Sequence, residues 1–217
     1  MKIFFFFIAL LCLYACEPSQ SPEKERVEEK PKDELDKLTY EEVTKGAEQL
    51  LFSYQKLLNT LLAVDVTKEQ RDDFVHNSIF SKGHQLHVFD SPDVIIEDDI
   101  GPEYYTKEKA RDLKVSRYLS DLFLFLERSK ANQVKFDNVH TLQVKVGEEM
   151  FVIVYFESQI QGAHSLEDFS YEKTKRIATV KAEKSQDVWQ YSIMSIGFYD
   201  ISAVNNNVSI PKVKKKV

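Results

Sequence analysis

Two adjacent carboxylates, Asp98 and Asp99, and one tyrosine, Tyr54, are the side chains of this sequence best suited to acid–base work. Carboxylates side by side at the end of an extended segment can send one of the pair toward a cavity, where burial raises its pKa into a working range. A tyrosine facing the same cavity could donate to a developing oxyanion. These residues also have a plainer use. Asp98 and Asp99 precede Gly101 and Pro102 and would cap that turn, while Tyr54 packs in the core with its hydroxyl at the rim. The plainer use is the one expected. Among the histidines, His84 and His87 are three apart, which on an extended strand puts them on opposite faces, where they cannot share a metal. His140 falls on the apolar-facing parity of its segment and reads as a hydrogen-bonded, partly buried side chain, while His76 and His164 have no obvious partners. No metal site is expected. No glycine-rich phosphate loop, nucleophile elbow or Cys-x-x-Cys pair occurs, so no cofactor is expected either. A net charge of −6 speaks against nucleic acid as a partner.

The remaining reactive side chains are two cysteines, Cys12 and Cys16, both near the start. Lys2 supplies a minimal positive end, and residues 3–13, with Phe4, Phe5, Phe6 and Phe7 in a row, form an apolar run. A helix that spans a bilayer needs about 20 residues, so this run reads as a secretion signal. Leu13-Tyr14-Ala15-Cys16 resembles the lipobox of bacterial lipoproteins, with Tyr14 bulkier than the residue usual at its place. Leu11, in front of Cys12, is too large for the residue before a cleavage site, which leaves Cys16 as the modified residue. The resemblance implies a signal peptide over residues 1–15, diacylation (palmitate) of Cys16, and anchoring of the protein to a membrane by several acyl chains. Glu17 stands where an aspartate would resemble an inner-membrane retention signal. The expected location is therefore the outer membrane of a Gram-negative-type envelope, with the periplasmic and surface faces undistinguished. With both cysteines in the leader, the folded part relies on neither disulfides nor a cysteine metal site.

Residues 16–37 are mostly Glu, Lys, Ser and Pro, with Pro18, Pro22 and Pro31 spaced along them. Too few apolar groups are present to offset the entropy of ordering, so this stretch is expected to be a disordered tether. At the other end, residues 204–217 are rich in asparagine and then lysine (Lys212, Lys214, Lys215, Lys216) and read as a flexible basic tail.

Residues 38–203 are the size of one ordinary domain. Thr39-Tyr40-Glu41-Glu42 has the form of a capping box, and Val43, Ala47, Leu50, Leu51, Tyr54, Leu57, Leu58 and Leu61 recur at helical spacing behind it. Thr67-Lys68-Glu69-Gln70 repeats the signature before a second helix ending near Asn77, with Phe74 and Val75 facing inward. Residues 85–89 and 93–97 read as a short hairpin around Asp90-Ser91-Pro92-Asp93, and residues 107–130 as a third helix striped by Leu113, Tyr118, Leu119, Leu122, Phe125 and Leu126. From there the period changes to two. Segments 134–146, 150–161, 174–183 and 188–199 predict a four-strand meander, with 150–156 apolar on both faces. The class is α+β: three helices packed on a curved antiparallel sheet, in the order helix, helix, hairpin, helix, meander.

That order, Tyr54 in a long first helix, the paired acidic turn before the third helix, and the ending Trp189-Gln190-Tyr191-Ser192-Ile193 together resemble the cone-shaped nuclear transport factor 2-like superfamily over about residues 39–199. The resemblance implies an open cone mouth, which some members use as isomerases, dehydratases or polyketide cyclases and others use only to bind. No catalytic position carries over to this sequence. The expectation is a non-catalytic domain that binds a partner protein or small ligand. The alternatives are a small isomerase or hydrolase using Tyr54 with Asp98 or Asp99, and a purely structural spacer. Ile193 and Ile196 lie on opposite parity, which suggests that the outer sheet face is covered as well, by a second copy in a homodimer. The anchor has a direct test: a Cys16→Ala protein should incorporate no radiolabelled palmitate and move to the aqueous phase of a detergent extraction, and unchanged labelling would refute the assignment.

Overall fold

A computed structural model describes residues 35–76, 78–80, 87–104, 106–126, 132–162 and 170–200. Helix α1 runs Lys37–Leu62, and the eight apolar positions expected of it, from Val43 to Leu61, are all buried. It starts one turn earlier than the Thr39 signature suggests. Asp36 is the cap: its carboxylate accepts from the Thr39 amide at 3.0 Å and from the Thr39 hydroxyl at 2.7 Å, so Thr39 sits inside the first turn. Helix α2 spans Lys68–His76 and begins with a reciprocal capping box, in which the Thr67 amide donates to Gln70 Oε1 (2.9 Å) and the Gln70 amide to Thr67 Oγ1 (3.3 Å).

The expected hairpin does not form as such. Strand β1, Ile95–Glu97, pairs antiparallel with β2, Asp112–Lys114, and parallel with β6, Val188–Phe198. Its expected partner segment is described only from His87 onward, and there Phe89 makes a single parallel bridge to Ile193. Both halves of the expected hairpin thus run along β6 rather than along each other. The third helix is shorter than its stripe. Residues Asp112–Lys114 are taken into the sheet as β2, and α3 covers Val115–Phe125. Sheet pairing prevails over helical spacing because Leu113 is buried from the strand just as it would be from a helix. The end of the predicted helix, 127–130, lies outside the described residues.

Strands β3 (Gln133–Lys145), β4 (Met150–Gln161), β5 (Thr174–Ser185) and β6 are antiparallel neighbours, and the whole sheet is ordered β2-β1-β6-β5-β4-β3. It is therefore a six-stranded mixed sheet, open at β2 and β3, rather than a purely antiparallel one. One face carries Val152, Val154, Phe156, Ala178, Val180, Ile193 and Ile196, packed in a single core with α1 and α3. Three bulges, two in β3 and one in β6, decide which side chains reach it. An extra residue in β6, between the partners of Thr179 and Val180, brings Ile193 and Ile196 onto the same, helix-facing side, where both are buried. Their opposite parity thus carries no information about the other face. On the other side of β4, Phe151 and Ile153 are already 5% and 2% exposed within one chain. No described helix is long and apolar enough to cross a membrane.

Helix α1 lies along the free edge of β3 and hydrogen-bonds to its backbone. Asn59 donates to the Val134 carbonyl (2.9 Å) and accepts from the Val134 amide (2.7 Å), while Gln55 Oε1 accepts from the Phe136 amide and Glu48 Oε1 from the Thr141 amide. Positions 48, 55 and 59 fall on one helix face, so three side chains satisfy an edge that would otherwise be open to another strand. Nearer the start of α1, Gly46 lies directly under the Tyr191 ring, whose hydroxyl donates to the Glu42 carbonyl at 3.3 Å. A Cβ there would overlap the ring. Gly46→Ala should therefore cost about 1–3 kcal/mol despite alanine's better helix propensity. Adding Tyr191→Ala should make the Gly46→Ala change near neutral or favourable, as read from denaturant midpoints in a double-mutant cycle.

Candidate functional site

The structure brings Tyr54 and Asp99 together and separates Asp98 from them. Asp98, fully buried at the end of β1, accepts from the amides of Ile100 (2.9 Å) and Gly101 (3.2 Å) and from Arg111 Nη2 at 2.6 Å. It caps the turn, as its plainer use requires, and its second oxygen is taken by a cation. Arg111 stacks over Tyr104 at 4.2 Å and also reaches Asp121 at 3.6 Å, which pairs in turn with Arg117 at 2.8 Å. This chain of charges runs outward to solvent, Arg111 being 40% exposed, so its pairs are worth less than their distances suggest.

Asp99 points the other way, into the core. Tyr118 of α3 donates to its Oδ1 at 2.9 Å, and Nη1 of Arg176 lies 3.0 Å from Oδ2. The Nη1 hydrogens are not aligned for a hydrogen bond, so the contact of Arg176 with Asp99 is that of two charges side by side. Arg176 is 1% exposed. Its Nη2 donates to the Glu97 carbonyl at 2.7 Å, and its guanidinium covers the Phe198 ring at 4.5 Å. Tyr54, packed edge-on to Phe89 at 5.4 Å, completes the group beside Tyr118. Burial, and after it the Asp99 charge, push the phenols of both Tyr54 and Tyr118 well above the usual tyrosine range, so both are neutral donors at any physiological pH. The space left among Tyr54, Asp99, Tyr118, Ser158 and Arg176 is about 10 Å³. That is room for one water at most. The group has the parts of an acid–base site and no room for a substrate.

Open space lies on the other face of the sheet. There a cleft of about 450 Å³ is lined by Asn138, His140, Leu142, Tyr155, Lys175 and Tyr199. A β3 bulge makes it. Asp137 pairs with Glu157 and His140 with Tyr155, so two residues, Asn138 and Val139, oppose one, and Asn138 takes a left-handed φ of 52°. The inserted residue turns His140 outward, correcting its inward parity. It is exposed, with Nδ1 2.8 Å from the Asn138 carbonyl and its ring 5.0 Å from that of Tyr155.

The other sequence candidates stay apart. His76 is exposed and bonded through Nδ1 to the Asp72 carbonyl (2.8 Å), and His87 is partly buried. Cys16, His84 and His164 lie outside the described residues. Among the described residues no three His, Cys, Asp or Glu side chains are placed to hold a metal ion. Sequence reasoning missed Arg176 and Tyr118. Arg176 did leave a signal, since it shares the inward register of β5 with Ala178, Val180 and Ala182, where a cation needs a buried partner.

No protein-family model matches this sequence, and no curated protein matches it. Among solved structures, the crystal structure of Kfla4162 protein from Kribbella flavida is similar over 76% of this chain and 99% of that chain, at 10% identity and a TM-score of 0.40. A likeness at that level assigns neither family nor function.

The buried pair is testable. Asp99→Ala strands the Arg176 guanidinium and should cost about 3–5 kcal/mol, whereas Asp99→Leu combined with Arg176→Met should recover most of the loss. Chemical denaturation of the three variants checks the order, and a double variant no better than Asp99→Ala would contradict it.

Proposed function

We propose that this protein is an envelope lipoprotein held at the outer membrane through lipidated Cys16, whose domain binds a ligand or partner without transforming it. Residues 16–37 serve as the tether and 38–203 as the binding domain, built as a nuclear transport factor 2-like cone. Three helices on one face of a sheet whose long strands are bent by bulges support the cone reading. The observation that carries the binding reading is the contrast between the two faces. The interior, where a cone-type enzyme would work, is closed by the pair of Asp99 and Arg176 with about 10 Å³ to spare, while the cleft by Tyr155 and Tyr199 is open at about 450 Å³. Tyr54 and Asp99 then serve the core, and Asp98 the turn. Dimerisation through the sheet would have to use polar and half-buried groups, since Phe151 and Ile153 are already covered.

A photo-cross-linking residue placed at Tyr199 of the lipidated protein, in its own envelope, should capture the bound molecule. Tyr155→Ala should abolish that capture and Tyr54→Phe, which removes only an interior hydroxyl, should leave it intact. Loss of capture in Tyr54→Phe with Tyr155→Ala unaffected would move the function to the interior and overturn the proposal.

A further inference from the structure

The side chains of the outer cleft are braced by contacts within the chain. Tyr155 and Tyr199 meet edge to face with ring centroids 5.1 Å apart, and the His140 ring lies 5.0 Å from that of Tyr155. The Tyr155 hydroxyl donates to Glu157 at 3.2 Å, and Glu157 is itself held by Lys173 at 3.2 Å. Lys173 also takes Asp137 at 3.1 Å, so the nearby carboxylates are spent within the fold. Tyr199 is fixed through its own amide, which donates to the Lys175 carbonyl at 2.8 Å. Lys175 differs from its neighbours. It is exposed, it lines the cleft, and among the described residues it has no carboxylate partner.

We infer that the cleft of Tyr155, Tyr199, His140 and Lys175 is a binding site for a saccharide that carries an anionic group. This rests on the proposed reading of that cleft as the domain's binding surface and names the class of its ligand. Fixed aromatic rings offer a flat, electron-rich face to the C–H side of a sugar ring at little cost in conformational entropy. The Asn138 side chain is itself bonded to Glu157 and His140 Nδ1 to the Asn138 carbonyl, so the imidazole Nε2 of His140 is the ring atom left for a sugar hydroxyl. The unpaired ammonium of Lys175 selects an acidic substituent such as a uronate. A peptide would instead use a sheet edge, where backbone groups pair as an added strand. The β3 edge beside this cleft is already bonded to Asn59, Gln55 and Glu48, and the opposite edge strand, β2, is three residues long.

Calorimetric titration of the lipidated protein in detergent micelles with pentagalacturonate and, separately, with neutral chitopentaose tests the assignment. Pentagalacturonate should bind more tightly than chitopentaose, with an affinity that falls as salt is raised. Tyr199→Ala and Tyr155→Ala should each weaken binding about tenfold. Lys175→Met, on the exposed rim, should erase the salt dependence and bring the acidic sugar down to the neutral one. Binding of pentagalacturonate that is unchanged in both Tyr199→Ala and Lys175→Met would overturn the inference, as would no binding of either sugar. In the latter case the cross-linker at Tyr199 separates the two failures. Capture of a protein there would leave the binding surface standing with a different occupant, and capture of nothing would remove both.

Discussion

A guanidinium taken out of water must be neutralised and hydrogen-bonded, or it destabilises whatever surrounds it. Arg176 is neutralised by the Asp99 carboxylate just after β1, hydrogen-bonded through Nη2 to the Glu97 carbonyl at the end of β1, and covered by the Phe198 ring at the end of β6. Asp99 is held in turn by Tyr118 from α3 and lies within reach of Thr174 at the start of β5. One cation therefore ties the short β1 strand, the long antiparallel strands and the third helix to one geometry. A parallel strand of three residues has few hydrogen bonds of its own, and its position against β6 depends on this anchorage. Hydrophobic residues of the same volume could fill the space with less desolvation, but they would not specify which strand end meets which.

That arrangement also decides where open space is left. The cation, its carboxylate and two neutral tyrosines occupy the region between sheet and helices that a hollow cone would leave open. The inner face is filled and the concavity lies on the outer face, and a flat pleated strand does not supply one. The bulge at Asn138 does. It bends β3, turns His140 outward beside Tyr155, and places both next to the end of β6, where Tyr199 sits. An asparagine tolerates the left-handed backbone that this requires better than almost any residue other than glycine.

These two features were unequally legible in the sequence. Helix α1 could be read residue by residue because a 3.6 period over many turns has no competing interpretation, and the use of Asp98 as a turn cap followed from the Gly101 and Pro102 behind it. The parity of His140 and of Ile193 against Ile196 could not be read, because one inserted residue exchanges the faces of everything beyond it and leaves no local mark. The start of α3 was hidden for a different reason: Leu113 satisfies both a helical stripe and an inward strand position, and only pairing with Ile96 decides between them. Arg176 was detectable in principle as a charge in an inward register. The cleft was not, since its residues come from three strands and from the residue that follows a fourth, and their adjacency exists only once the register and its bulges are known.

The long first helix has a part in this beyond filling the core. An open sheet is exposed at its edges, where any extended chain can pair with free amides and carbonyls. Here Glu48, Gln55 and Asn59 close the β3 edge with side chains, and they can do so only because α1 approaches closely enough along its length. Closeness at the other end of the helix comes from Gly46, which lets the ring of Tyr191 rest on the helix backbone. Burial, and after it the Glu42 charge, push the Tyr191 phenol up to about 12, so it stays neutral and its hydroxyl remains a donor to the helix. A glycine that weakens an isolated helix thus seats α1 against the sheet, and the seated helix covers the inner face and seals the β3 edge.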